Sequence, residues 1–214
     1  MKPAIKKLIL EYNNRKGEIR KRLEEFRLVG KRRDEEIFQE LCFCLLTANA
    51  NALRCDEAIR DLRDRSLLLR GSADSLKPRL KGRVRFHNKK ASFIIEARKR
   101  FKQGGCLDIK NTIDEKNPLA ARDWLVDNIK GLGCKEASHF LRNIGLGKEL
   151  AILDRHILKN LAYYGVIDKV PASLTKKTYM EIEEKMRSFA IRIKIPLAEL
   201  DLLFWSIETG FVFK

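Results

Sequence analysis

Ile129-Lys130-Gly131-Leu132-Gly133-Cys134-Lys135-Glu136-Ala137-Ser138-His139-Phe140-Leu141 reads as the end of one helix, a turn built on two glycines, and the start of a second helix. Gly131 and Gly133 permit the positive φ of a tight turn, and Ala137 and Leu141 resume helical spacing. With no side chains in the way, the backbone N–H groups of Gly131, Gly133 and the next first turn can approach a phosphate, helped by the positive helix end. Such contacts hold DNA without reading its sequence. A glycine turn joining two ordinary helices satisfies the same pattern, so the residues beside it decide.

Lys135 stands two residues past the turn, in the first turn of the second helix. The helix dipole and the surplus positive charge both disfavour an ammonium there, and a neutral amine is a nucleophile able to attack a sugar C1′ and form a Schiff base. Asp154 follows the apolar triplet Ala151-Ile152-Leu153 at a helix start. It reads either as an N-cap or as a cleft-facing carboxylate that stabilises a cationic sugar and assists proton transfers with Lys135.

Outward from the hairpin, nearly every apolar pattern repeats at three and four residues. Ile5, Leu8 and Ile9 open one stripe, Ile37, Leu41, Cys44 and Leu45 a second, and Phe93, Ile94 and Ala97 a third, which predicts an all-α fold. Asn117 before Pro118, Thr175, and Pro196 before LAELDLLFWSI mark helix starts. A short strand over Val84 to Phe86 has weak support, and residues 66 to 87, 104 to 117 and 145 to 152 read as connections. Nothing marks a flexible linker, so any two lobes pack together with a cleft between them.

Lys plus Arg number 45 and Asp plus Glu 29, a formal charge of +16, and so positive a field attracts a polyanion. A thermophile's charged surface explains the number of charges but not their sign; Gln occurs only at positions 39 and 103. The five cysteines, 42, 44, 55, 106 and 134, make no paired C-x-x-C units, which argues against a cluster or structural zinc. Free thiols suit a reducing cytoplasm. No apolar run approaches the roughly 18 to 20 residues that span a bilayer, and the chain reads as soluble and intracellular.

A GLG hairpin followed by Cys134-Lys135, with Asp154 nineteen residues beyond the lysine, resembles the helix-hairpin-helix DNA glycosylase superfamily. The lysine is that of the bifunctional members. The short chain, LLTANANA, VRFHNKKASFIIEAR and the closing WSIETGFVFK are similar to the archaeal-type, second family of 8-oxoguanine DNA glycosylase/AP lyases. One departure is Lys130, where the superfamily has a proline before the first glycine; it adds a candidate phosphate contact. The resemblance implies two lobes, residues 32–144 with the hairpin and residues 1–31 plus 145–214 with Asp154. It also implies a Lys135 nucleophile, an Asp154 partner, damaged duplex DNA as substrate, no cofactor or metal, and a monomer in a prokaryotic, nucleoid-associated setting.

8-Oxoguanine carries a proton on N7 where guanine presents a lone pair, so a selective pocket needs an acceptor facing N7. A flipped base also needs stacking surfaces. The resemblance suggests that Trp205 stacks on the base, Asp201 bonds its edge, Phe86 covers the other face, and Lys214 closes the pocket. Asn49 and Asn51 are candidates to enter the space the base leaves, although asparagines also end helices routinely. Lys77 to Lys102 holds eleven basic residues against one acid, Glu96, a candidate phosphate-gripping face. His139 and His156 read as structural or as minor phosphate contacts. Two other readings are a helix-hairpin-helix glycosylase for another oxidised base, such as an oxidised pyrimidine, and a non-catalytic DNA-binding module. Lys135 and Asp154 argue against the second of these, the absent cluster cysteines and the FVFK end against the first.

Overall fold

Residues Asp34–Thr47 are apolar on nearly every side, and a helix of that kind has to be surrounded. In the computed structural model, which describes residues 3–214, it is the centre of the first of two cores. The described residues form α1 (Pro3–Gly30), α2 (Asp34–Thr47), α3 (Ala52–Asp64), α4 (Leu67–Arg70), α5 (Ala73–Leu80), α6 (His87–Arg100), α7 (Pro118–Asn128), α8 (Cys134–Asn143), α9 (Arg155–Tyr163), α10 (Lys176–Ile193) and α11 (Leu197–Thr209). Two-residue strands β1 (Lys102–Gln103) and β2 (Cys106–Leu107) pair antiparallel about Gly104-Gly105. The fold is all-α, and none of the described helices is long and apolar enough to cross a membrane.

Around α2 pack α3, α6 and α8, and this core runs from Ile37 to Leu150. Phe38 and Phe43 are fully buried in it, so truncating either to alanine costs about 3–5 kcal/mol. The acidic first turn of α2, Asp34-Glu35-Glu36, complements the helix dipole. Cys42 and Cys44 are fully buried, packing as small apolar residues.

The second core joins the two ends of the described chain. Ile5, Leu8, Tyr12, Ile19 and Phe26 of α1 meet residues from Ala151 to Phe204. The chain passes between the cores at close quarters: a Cβ on Gly30 would lie 2.2 Å from the Ile144 carbonyl oxygen, so only glycine fits there. Arg122 of α7 and Glu183 of α10 bridge the cores with a buried ion pair at 2.7 Å, and Arg142 of α8 and Asp201 of α11 with another at 2.6 Å.

Asn117 and Thr175 cap α7 and α10 through their side chains, as their positions predict. Pro196 is the residue before α11, one position earlier than the expected first helical site. Two local expectations fail. Val84 to Phe86 forms no strand: Gly82 at φ 77° and Phe86 at φ 57° turn the chain so that α6 folds back on α5. The connection expected over 66 to 87 contains α4 and α5, the latter capped by Ser72. Pro78 lies inside α5, where it removes one backbone donor and crowds the Asp74 carbonyl, and the helix ends two residues later.

Candidate active-site cleft and nucleic-acid interface

α7, the Ile129–Gly133 turn and α8 form the expected helix, hairpin and helix. Leu132 N–H bonds the Ile129 carbonyl at 3.1 Å, and Gly131 sits at φ 93°. A Cβ on Gly131 would meet the Phe93 ring at 2.4 Å, so the glycine is required by conformation and by space. Lys130 is exposed, with its ammonium 3.6 Å from Glu96 and 5.9 Å above the Phe93 ring. Glu136 works twice: its Oε2 accepts the Gly133 N–H at 3.3 Å, and its Oε1 lies 3.0 Å from Lys135 Nζ. Lys135 therefore has an acidic neighbour beside its positive surroundings, and the Gly133 N–H, expected to face a phosphate, is satisfied within the protein.

Asp154 both caps a helix and faces the cleft. As the N-cap of α9, its Oδ1 accepts from His156 and Ile157 N–H, each at 2.8 Å. It also lines, together with Lys135, a cleft of about 1240 Å³. Asn49, Asn51, Asp201, Trp205 and Lys214 line the same cleft, so seven candidates from five separated segments converge on it. Asn49 holds a left-handed φ of 53°, and Asn51 caps α3 by accepting from Arg54 N–H. Phe86 is not brought in; it is 59% exposed at the start of α6, under the Arg85 guanidinium. Lys130, Gly131 and Gly133 likewise stand outside the cleft lining.

Burial sets the electrostatics of the cleft floor. Asp201 is pushed up to about 7 by desolvation, against the pull of Arg142, with the nearby Asp154 adding to the rise. His139 is held well below the usual imidazole range by burial and by the cations Arg142, Lys135 and Lys214, and packs edge-on to Phe43. Trp205 is backed by Phe211 at 5.3 Å and Phe213 at 6.1 Å. Lys214 reaches Glu40 and Asp56.

Several cleft residues escaped the sequence reading: Arg142, Arg54 and the segment Val170 to Leu174. No local pattern separates them from solvated residues. The basic stretch from 77 to 102 needs correcting as a uniform outward face. Lys90 is buried, its ammonium donating at 2.7 Å to the Leu46 and Ala48 carbonyls at the end of α2, and burial lowers it from the ordinary lysine range. Arg98 likewise turns inward, onto the Leu68 and Gly71 carbonyls. Arg85 remains exposed at the cleft.

Two helical lobes, a helix-hairpin-helix and a cleft between them define the helix-hairpin-helix class. A family model described as 8-oxoguanine DNA glycosylase matches residues 19–195. An 8-oxoguanine DNA glycosylase/AP lyase of Fusobacterium nucleatum is 42% identical over 205 residues, 95% of this chain and 94% of that protein. One of Methanocaldococcus jannaschii is 42% identical over 198 residues, covering 92% and 91%. The crystal structure of the M. jannaschii glycosylase/lyase in complex with a 15mer DNA containing 8-oxoguanine superposes with TM-score 0.89 at 40% identity, over 99% of each chain. The chain belongs to the 8-oxoguanine DNA glycosylase family.

Proposed function

We propose that this protein excises 8-oxoguanine from duplex DNA and then cleaves the strand at the abasic site. The observation that carries the reading is the convergence of Lys135 and Asp154 on one cleft with Asp201 and Trp205. The names of its relatives, and the DNA complex of one of them, support the same substrate.

In this reading the Lys135 amine attacks C1′ of the flipped nucleotide as the glycosidic bond breaks and the base leaves with the bonding pair. Asp154 stabilises the cationic sugar and takes protons from the attacking amine. The sugar ring then opens at the C1′–O4′ bond, with a proton passing to O4′, which converts the amine adduct to an iminium; the iminium acidifies the 2′ proton, and loss of that proton expels the 3′ phosphate by β-elimination. Trp205 stacks on the extruded base and Asp201 bonds its edge; Phe86 covers the base from the rim, and Lys214 closes the pocket. Asn49 and Asn51 fill the space left in the duplex. Lys130, Gly131 and Gly133 hold the backbone, Glu136 yielding the Gly133 N–H to a phosphate. The lobes divide at 1–31 plus 145–214 and 32–144; two separate cores support a division into two, although Leu146 and Leu150 pack with the first. The protein acts as a monomer, with no cofactor, in the cytoplasm beside the nucleoid of a prokaryotic cell, in keeping with prokaryotic relatives.

Borohydride trapping tests the reading. Wild-type protein incubated with a duplex carrying one 8-oxoguanine gives a covalent complex on reduction, and Lys135→Gln gives none. A bound duplex with no wild-type adduct overturns it, and an abasic-site duplex in the same assay then separates a different lesion from plain DNA binding.

A further inference from the structure

Between α8 and α9 the chain crosses from the first core to the second as irregular backbone, from Leu150 to Leu153, before Asp154 caps α9. Buried irregular backbone has to find its hydrogen-bond partners elsewhere. Two residues of α10 supply them. Glu183 Oε1 accepts the Ala151 N–H at 2.7 Å. The Tyr179 hydroxyl donates to the Ala151 carbonyl at 2.6 Å and accepts the Leu153 N–H at 3.3 Å. The same Glu183 carboxylate receives Arg122 Nη1 at 2.7 and 3.0 Å, and that nitrogen lies 3.3 Å from Ser138 Oγ. Arg122 belongs to α7 and Ser138 to α8, the two helices of the hairpin unit. One buried network thus connects the helix that carries Lys135 to the segment that ends in Asp154.

Stability is a weak reason for such a network. Arg122 and Glu183 are 1% and 3% exposed, and apolar residues of similar volume commonly stabilise a core as well as a buried ion pair does. What apolar residues cannot do is fix the backbone of residues 151 to 153 in one register against α7 and α8. We propose that Arg122, Glu183 and Tyr179 are positioning residues that hold Asp154 at its working distance from Lys135. None of the three lines the cleft, so they act through Asp154 and touch neither sugar nor base. The inference rests on the reading of Asp154 as the partner of Lys135.

The test is a double-mutant cycle of Tyr179→Phe with Asp154→Asn, read as single-turnover release of 8-oxoguanine at saturating enzyme, with duplex Kd measured alongside. Tyr179→Phe keeps the ring and removes only the hydroxyl. The expected result is an unchanged Kd and a rate lowered about ten- to hundredfold, since small misplacements of a reacting group act on the chemical step. In the Asp154→Asn background the same substitution changes the residual rate by less than about twofold, because neighbours in one pathway are non-additive. An equal drop in both backgrounds, or none in the wild type, overturns the proposal while leaving Asp154 in its role. Full activity of Asp154→Asn alone overturns the role of Asp154 and the positioning inference with it. Should Tyr179→Phe fail to fold, Glu183→Gln, which keeps an acceptor for the Ala151 N–H, takes its place in the cycle under the same criteria.

Discussion

Lys214 Nζ lies 2.9 Å from Asp56 Oδ1, and the same ammonium is 3.0 Å from Glu40 Oε1 and 4.4 Å above the Phe43 ring. All three charged side chains are largely buried; Asp56 also pairs with Arg60 at 2.7 Å and Glu40 also accepts from Asn143 Nδ2 at 3.0 Å, but Lys214 is the cation between the two carboxylates. Lys214→Ala leaves two carboxylates facing one another across the space. It is expected to lose about 2 kcal/mol of stability in urea denaturation and to slow 8-oxoguanine release. Lys214→Met, which restores the apolar stem over Phe43, recovers only part of the loss. Equal stability of the alanine variant and wild type would show that Arg60 and Asn143 suffice for the two carboxylates.

Asp201 and His139 impose opposite pH slopes. A carboxyl raised to about 7 in the folded state stabilises most fully below its unfolded value, and that contribution is lost as pH rises toward 7. A histidine held below its usual range when folded contributes stability above its unfolded value, and that is lost as pH falls through it. Across about pH 5 to 6.5 the two nearly cancel, each being worth at most ~1.4 kcal/mol per pH unit. Thermal melts over that window are expected to be flat for wild type. For Asp201→Asn the melting temperature should climb with pH, and for His139→Gln it should fall. A variant slope equal to wild type would remove that residue from the account.

Gly131→Ala places a Cβ on a left-handed backbone and against the Phe93 ring at 2.4 Å. The conformation alone costs roughly 1–2 kcal/mol, and the clash adds to it. Phe93→Ala added to Gly131→Ala is expected to recover the steric part and leave the conformational part. Denaturation midpoints of both variants check this, and full recovery in the double variant would show that φ carries no penalty.

With a formal charge of +16, duplex binding is expected to weaken steeply with salt. Arg54 and Arg85 are exposed at the cleft. Replacing either with alanine should lower the slope of log Kd against log salt by about one, if each holds one phosphate. Titrations of an undamaged duplex at several salt concentrations measure it; an unchanged slope for Arg85→Ala would place its charge away from the DNA.

The sequence carried what is local. Helix periodicity, the caps at Asn117 and Thr175, the GLG turn and the placement of Lys135 and Asp154 at helix starts depend on residues within a few positions of one another. Pairing across the lobes was not legible, because nothing near Arg122 in the chain announces Glu183, sixty-one residues on. Lys90 misled for the same reason: its neighbours are basic and solvated, while its partners, the last carbonyls of α2, lie more than forty residues upstream. Phe86 shows the converse. The resemblance suggests that it covers a flipped base, yet it stands exposed beside the cleft, since its left-handed backbone turns the chain into α6.

The ion pair between Arg122 and Glu183 also divides the mechanical work between protein and ligand. Spreading the lobes would break this pair and the buried hydrogen bonds that share its carboxylate, so the closed packing of the lobes opposes it. The enzyme is therefore the stiff member of the encounter. On the proposed reaction adaptation then falls to the double helix, and sequences that deform easily around the lesion are expected to be processed fastest.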